Sequence, residues 1–264
     1  MITSKENTIV KEARRLKETK ARKETGLFLA EGAHLVKELI SSQLKIVRIF
    51  VSGEGLRHEE TEILNSLIQN GVSVVEVSGA VLKSLSETET PQGILAVAEE
   101  AKSTVLPKLH PDQPFQGLIL DKIQDPGNLG TLIRTAWGFA IDACILIPGT
   151  ADPYSGKVLR SSMGGTFHLP IVTASIADVI KWAVENEIIL YGGDMRAEQR
   201  VDQASYAERL GILVGNEGSG LSTNWYQSGQ TQMINIPMPG GAESLNVAVA
   251  ASIMMYEVYR QTLR

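Results

Sequence analysis

"LILDKIQDPGNLGTLIRTAWGFAIDACILI", residues Leu118 to Ile147, decides the fold class. It opens with an apolar strand, Leu118 to Asp121. Asp125-Pro126-Gly127-Asn128 is turn chemistry, because Pro and Gly suit bent backbone and Asp and Asn bond their own backbone. A helix follows from about Leu129 to Phe139, then a second apolar strand, Ala143 to Ile147. Apolar strands separated by a helix of this length predict a parallel sheet covered on both faces. Ligands of such sheets gather at the carboxyl ends of the strands.

The pattern continues downstream. A helix is expected near Ser155 to Met163, a strand at Phe167 to Val172 and a helix at Ile176 to Asn186. Strands Ile188 to Tyr191, Gly211 to Val214 and Met233 to Ile236 precede a closing helix from Ser244 to about Thr262. An upstream block reads as strand Leu27 to Ala30, helix Ala33 to Ile40, strand Ile46 to Val51 and helix Glu59 to Gln69. Strand Val72 to Val77, a helical turn Val81 to Leu85 and strand Gly93 to Ala98 complete it. Between the blocks, Ala101 to Gln116 carries Pro107, Pro111 and Pro114 without apolar periodicity, which reads as a linker. The expected organisation is a small α/β domain over residues 1–100, a linker over 101–116 and a parallel-sheet α/β domain over 117–264.

Composition narrows the class. Hydrophobic residues make up 43% and charged residues 21% of 264, as in a soluble globular chain with a sizeable core. No uncharged apolar run approaches the length of a membrane span, and the polar start MITSKENTIVKEARRLKE lacks a signal-peptide pattern. The single cysteine, Cys144, sits in an apolar run and reads as a small buried hydrophobe. No metal-ligand cluster is visible, and a reducing cytoplasm is the expected compartment. Net charge is -5, but residues 1–50 hold eleven Lys+Arg against six Asp+Glu. That asymmetry fits an N-terminal part that meets phosphates and an acidic body.

Three loops at strand ends carry the candidate chemistry. In Leu120 to Ala136, Arg134 is the only charged side chain between Gly127 and Ala140, on an otherwise apolar or small helix; burying it would require an anionic or carbonyl partner. In "GILVGNEGSGLS", Gly211 to Ser222, a buried strand runs into dense Gly with one carboxylate, Glu217. Gly there permits close approach to a ligand or positive φ, and no Lys-Ser/Thr follows to make a phosphate loop. In "NIPMPGGAESLNVAVAA", Asn235 to Ala251, Ser244 is a good helix cap and Asn246 would fall on the second helical position.

Asn128 with Arg134, then Gly-Asn-Glu-Gly-x-Gly, then Ile-Pro-Met with Ser-Leu-Asn, in that order, resemble the three motifs of the SpoU (TrmH-like) RNA ribose methyltransferases of the SPOUT superfamily. "RSSMGGTFHLP", Arg160 to Pro170, is similar to a segment between motifs, and "FLAEGAHLVKELI", Phe28 to Ile40, resembles the family's ribosomal-protein-like substrate-binding domain. The resemblance implies a deep trefoil knot, a homodimer sharing residues across its interface, S-adenosylmethionine as donor and an RNA ribose 2'-hydroxyl as acceptor, ribosomal RNA before transfer RNA. It implies a catalytic set of Asn128, Arg134, Glu217, Ser244 and Asn246, and a cofactor wall of Gly193, Gly215, Ile236, Met238 and Leu245. Arg134 is then either the base or, since arginine is effectively never deprotonated, a stabiliser of phosphate and oxyanion charge. In the basic run of residues 11–23, Arg14, Arg15, Arg22 and Lys23 are expected to touch RNA.

Two competing readings are a non-catalytic RNA-binding protein of the same fold and a nucleotide-dependent small-molecule kinase. The first predicts broken motif positions, and all five polar ones are present. The second needs a phosphate loop and metal carboxylates, and neither pattern appears.

Overall fold

The Asn7 side chain accepts a hydrogen bond from the Ile9 N–H and so caps the first helix, α1 (Thr8–Arg15). The basic run does not continue as one helix. It breaks at residues 16–18 and resumes as α2 (Thr19–Thr25), which ends on Gly26 at φ 67°, a left-handed position that favours glycine. The chain continues through β1 (Leu27–Glu31), α3 (Ala33–Ser41), β2 (Ile46–Val51), α4 (His58–Gln69), β3 (Ser73–Glu76), α5 (Gly79–Leu85) and β4 (Ile94–Glu99). Their sheet has the order β1-β4-β2-β3 and is mixed: β4 runs antiparallel to β1 and β2, and β2 parallel to β3. Alternate residues feed opposite faces, as strand geometry requires. Phe28, Ile49 and Ile94 enter one apolar cluster, while Leu29, Phe50 and Leu95 enter the other.

This computed structural model describes residues 1–53, 58–110 and 112–262. Pro111 of the expected linker and the final two residues of the expected second domain lie outside them. Beyond β4 the elements are β5 (Lys102–Ser103), β6 (Phe115–Leu120), α6 (Pro126–Gly138), β7 (Ala143–Leu146), α7 (Gly156–Ser162), β8 (Ile171–Thr173), α8 (Ile176–Glu185) and β9 (Ile189–Gly193). They are followed by β10 (Arg209–Val214), α9 (Thr223–Gln227), β11 (Thr231–Ile234) and α10 (Val247–Thr262). β5 to β11 form a sheet in the order β11-β9-β10-β6-β7-β8-β5, with every pair parallel. Ile119, Ile145, Leu190, Leu213, Trp182 and Trp225 belong to its core. Cys144 in β7 is buried, and burial pushes its thiol up to about 12, as expected of a small buried hydrophobe.

The Pro-rich stretch is held more firmly than a linker. Lys102–Ser103 pairs with β8, and Leu106 and Leu109 pack on the core. The Trp182 indole N–H donates to the Pro107 carbonyl at 2.9 Å, and Arg209 donates to the carbonyls of His110 and Gln113 at 2.6 and 2.9 Å. Prolines removed the periodicity but not the contacts. Further along, Gly165–Phe167 is a 3-10 turn, so the strand expected from Phe167 is shortened to β8.

The chain divides into two units: Met1–Ala101 with Asp152–His168, and Lys102–Ala151 with Leu169–Arg264. The "RSSMGGTFHLP" region thus falls almost wholly in the first unit. The Phe28 ring lies 4.8 Å from that of Tyr154 and 5.5 Å from that of Phe167, and the Ala101 N–H donates to the Tyr154 hydroxyl at 2.9 Å.

Arg22 is only 2% exposed, which corrects its expected place on an RNA-binding surface. Its Nε donates to Asp152 Oδ2 at 2.9 Å, Nη1 to the carbonyls of Leu16 and Lys17, and Nη2 to Thr19 Oγ1. A buried guanidinium needs this full set of acceptors. Lys17 is likewise engaged, donating to the carbonyls of Ser84 and Ser86 at the carboxyl end of α5. Asp152→Ala is expected to destabilise the protein by about 3–5 kcal/mol by stranding that buried cation. Denaturant unfolding checks it, and a loss below about 1 kcal/mol would show that Asp152 is dispensable.

Candidate active site

A five-residue turn, 121–125, leads from β6 into α6. The Asp125 carboxylate accepts from the Asn128 N–H at 2.8 Å, and Pro126 occupies the first helical turn, where a missing N–H costs nothing. This places the Asn128 side chain at the helix mouth. Its Nδ2 donates to Glu217 Oε1 at 3.0 Å, and its Oδ1 accepts from Asn246 Nδ2 at 2.9 Å. Asn246 Oδ1 in turn accepts from the backbone N–H groups of Ala248 at 2.9 Å and Val249 at 3.4 Å. Asn246 is therefore the cap of α10, and the helix begins at Val247. Ser244, expected as the cap, lies two residues upstream on the exposed loop.

The orientation of both amides follows from what they touch. Glu217 is acceptor-only as a carboxylate, so Asn128 must turn its NH2 towards it. The first N–H groups of α10 are donors only, so Asn246 must turn its oxygen to them. The remaining oxygen of Asn128 and NH2 of Asn246 then meet.

Glu217 also accepts from the N–H groups of Gln124 at 3.4 Å and Asp125 at 3.3 Å. Partial burial pushes its carboxyl up. The Asn128 amide and backbone donors, those of Gln124 and Asp125 among them, outweigh this and hold it below its ordinary value.

The glycines of the β10 loop have a local cause. A Cβ on Gly215 would lie 2.3 Å from the Gly220 carbonyl carbon, where the loop folds back and bridges Asn216 to Gly220. The Asn216 side chain fixes the turn, accepting from the N–H groups of Gly218 and Ser219 and donating to the Lys122 carbonyl at 2.9 Å.

Beside this network lies a cavity of about 1220 Å³. Gly193, Gly215, Ile236, Met238 and Leu245 all line it, as do Glu217, Ser244 and Asn246. Asn128 and Arg134 are not in its wall. Arg134 is exposed on α6 and makes no hydrogen bond or ion pair among the described residues, contrary to the expectation of a buried, partnered arginine.

Residues 117–256 match the SpoU rRNA Methylase family. The chain belongs to that family. Residues 7–96 match the MRM3-like substrate binding domain. The 23S rRNA (guanosine(2553)-2'-O)-methyltransferase RlmP of Bacillus subtilis is 36% identical, over 97% of this chain and 98% of that protein. The AdoMet-bound rRNA methyltransferase structure from Sinorhizobium meliloti is 30% identical with a TM-score of 0.87, over 100% of this chain and 98% of that one. The AdoMet complex of the SpoU methyltransferase AviRb from Streptomyces viridochromogenes is 28% identical with a TM-score of 0.88, over 97% and 98%.

In this SpoU-family chain, two carboxylates follow strand ends, and the sequence reading assigned no partner to either. Asp121, directly after β6, is fully buried, and its Oδ2 accepts from the Ser222 N–H at 2.7 Å and the Trp225 indole at 3.0 Å. It anchors the start of α9. Asp194, directly after β9, meets Arg196 and Tyr226 at the cavity. A carboxylate at the end of an apolar strand was the available signal for both.

Because the Glu217 carboxyl titrates lower in the folded chain, its tie to Asn128 stabilises above the ordinary carboxylate range and is lost as pH falls through the lowered native value. Glu217→Gln is therefore expected to lower the melting temperature at neutral pH, with the gap to the wild type closing on acidification. A gap that stays constant into acid would show that the charge does not hold the tie.

Proposed function

We propose that this chain transfers a methyl group from S-adenosylmethionine to a ribose 2'-hydroxyl of ribosomal RNA, in the cytoplasm and as a homodimer. The observation that carries the reading is the Glu217–Asn128–Asn246 chain of hydrogen bonds, which joins all three motif loops beside one cavity. RNA ribose methylation is the activity in the relatives' names, and two neighbouring structures hold AdoMet. Those names favour ribosomal over transfer RNA.

The cavity suits the donor. Ile236, Met238, Leu245 and Met254 give an apolar wall for adenine, and no phosphate loop is needed for a molecule without phosphate. Glu217 and Glu243 supply carboxylates to a molecule carrying a sulfonium and an ammonium. When bound, the donor supplies a methyl group on sulfur. The protein's share is to hold the acceptor hydroxyl in line and favour loss of its proton.

Arg134 serves as a fixed positive charge for the neighbouring RNA phosphate and for charge developing on the 2'-oxygen, since a guanidinium keeps its protons. The proton leaves to a phosphate oxygen or water. Asn128 and Asn246, locked by Glu217, hold the acceptor side of the cavity, and Ser244 offers it a free hydroxyl. In the first unit, Arg14, Lys23 and Arg15, the last of which pairs with Glu24 at 3.4 Å on the surface, are the expected cations that remain to meet phosphates once Arg22 is engaged.

The dimer rests on the outer faces of α6 and α10, which pack together. Trp137, Val249, Tyr256 and Tyr259 are exposed along this pair, a patch that a second copy would cover. Arg134 lies on α6 outside its own cavity wall, as a residue donated across an interface would. The knot is supported by the family match and by the return of the chain: it leaves edge strand β11 and comes back as α10 against α6 and β10.

Three measurements test this reading. Arg134→Ala is expected to abolish methyl transfer while binding of S-adenosylhomocysteine stays within about twofold of wild type. Mapping after incubation with labelled donor and total RNA from a deletion strain should place the label on one ribose of ribosomal RNA; label on bases only would sink the claim. Val249→Glu with Tyr256→Glu should sediment at half the wild-type mass.

A further inference from the structure

Asp194, Arg196 and Tyr226 form a fixed polar cluster in the cavity wall at the end of β9. The Asp194 side chain is 9% exposed, while that of Arg196 is 77% exposed, so a nearly buried carboxylate holds an open guanidinium. Asp194 Oδ1 accepts from the Arg196 N–H at 2.9 Å and from its Nε at 3.1 Å. Oδ2 accepts from Nη2 at 2.9 Å and from the Tyr226 hydroxyl at 2.7 Å. Arg196 Nη2 lies a further 3.4 Å from the Tyr226 oxygen. An exposed arginine normally samples many rotamers; two parallel bonds to one carboxylate remove that freedom. Both Asp194 oxygens are spent on these partners, so Asp194 is a positioning residue. Nη1 makes no hydrogen bond among the described residues, and its two N–H groups are left over.

Arg196 is also the only Lys, Arg or His side chain in the described cavity wall, among the carboxylates of Asp194, Glu217 and Glu243. The donor proposed above carries two positive groups and one negative group. The positive groups have Glu217 and Glu243, since Asp194 is spent on Arg196 and Tyr226. The negative group, the α-carboxylate of the amino-acid end, has one cation.

We infer that Arg196, aimed by Asp194 and Tyr226, binds the α-carboxylate of the methyl donor and so selects a donor with an intact amino-acid end. This rests on the donor assignment made above. The contact exists in the ground state, so it acts on affinity before rate. It lies at the β9 side of the cavity, apart from the Glu217–Asn128–Asn246 network on the β6 side.

Calorimetry with S-adenosylmethionine and its decarboxylated analogue tests the inference. The two ligands share adenosine, sulfonium and amine and differ in the carboxylate alone. Wild type is expected to bind the intact donor at least about tenfold more tightly, the size of a charge-assisted hydrogen bond. Arg196→Ala should erase that preference while keeping wild-type affinity for the decarboxylated analogue, which also shows that its cavity is intact. Arg196→Lys should restore part of the preference. A preference that survives in Arg196→Ala overturns the inference, and so does an equal loss for both ligands, which would mark Arg196 as structural. Wild type that binds neither ligand overturns the donor assignment itself.

Discussion

The carboxamide of Asn128 is the group on which the site depends. It faces an obligatory acceptor, Glu217, on one side and a donor, Asn246, on the other. Few side chains can serve both. Aspartate would set two carboxylates against each other, and leucine would take from Glu217 its side-chain donor and from the Asn246 NH2 its acceptor. The bond also fixes three stretches of chain that leave different strands, β6, β10 and β11. Asn246 closes the series by capping α10, so the entry angle of the last helix and the position of the acceptor side of the cavity are set by one chain of hydrogen bonds.

Where side chains repeat regularly, the sequence was readable. β2 was expected at Ile46 to Val51 and runs there, and the expected strands and helices after Leu118 occur in the expected order, with the short helix α9 added between β10 and β11. The helix cap was misplaced because Ser and Asn are both good caps and stand two residues apart; the choice was made by Asn128, 118 residues away from Asn246 along the chain. The glycines after β10 looked like room for a ligand. At Gly215 the room is for the loop's own return. The prolines of residues 101–116 hid a segment whose backbone carbonyls are held by Trp182 and Arg209, both far downstream.

Charge was the least legible property. Among the basic residues near the N-terminus, Arg22 looks like its neighbours in sequence, yet its partner is Asp152, 130 residues later. Arg134 shows the converse: an apolar neighbourhood predicted burial with a partner, and the helix instead turns it outward. Helical phase decides such cases. Arg134 shares the open side of α6 with Thr131 and Gly138, whereas Leu132, Ile133 and Ala136 face inward.

The membership of Asp152–His168 in the first unit has a consequence for synthesis. Phe28 and Arg22 are made early, but Tyr154, Phe167 and Asp152, which cover the ring and neutralise the cation, emerge only after β5 to β7. The amino-terminal part therefore leaves the ribosome before the residues that complete its core. About fifty further residues are translated before Asp152, Tyr154 and Phe167 follow, and contacts of such sequence separation are the kind that slow folding.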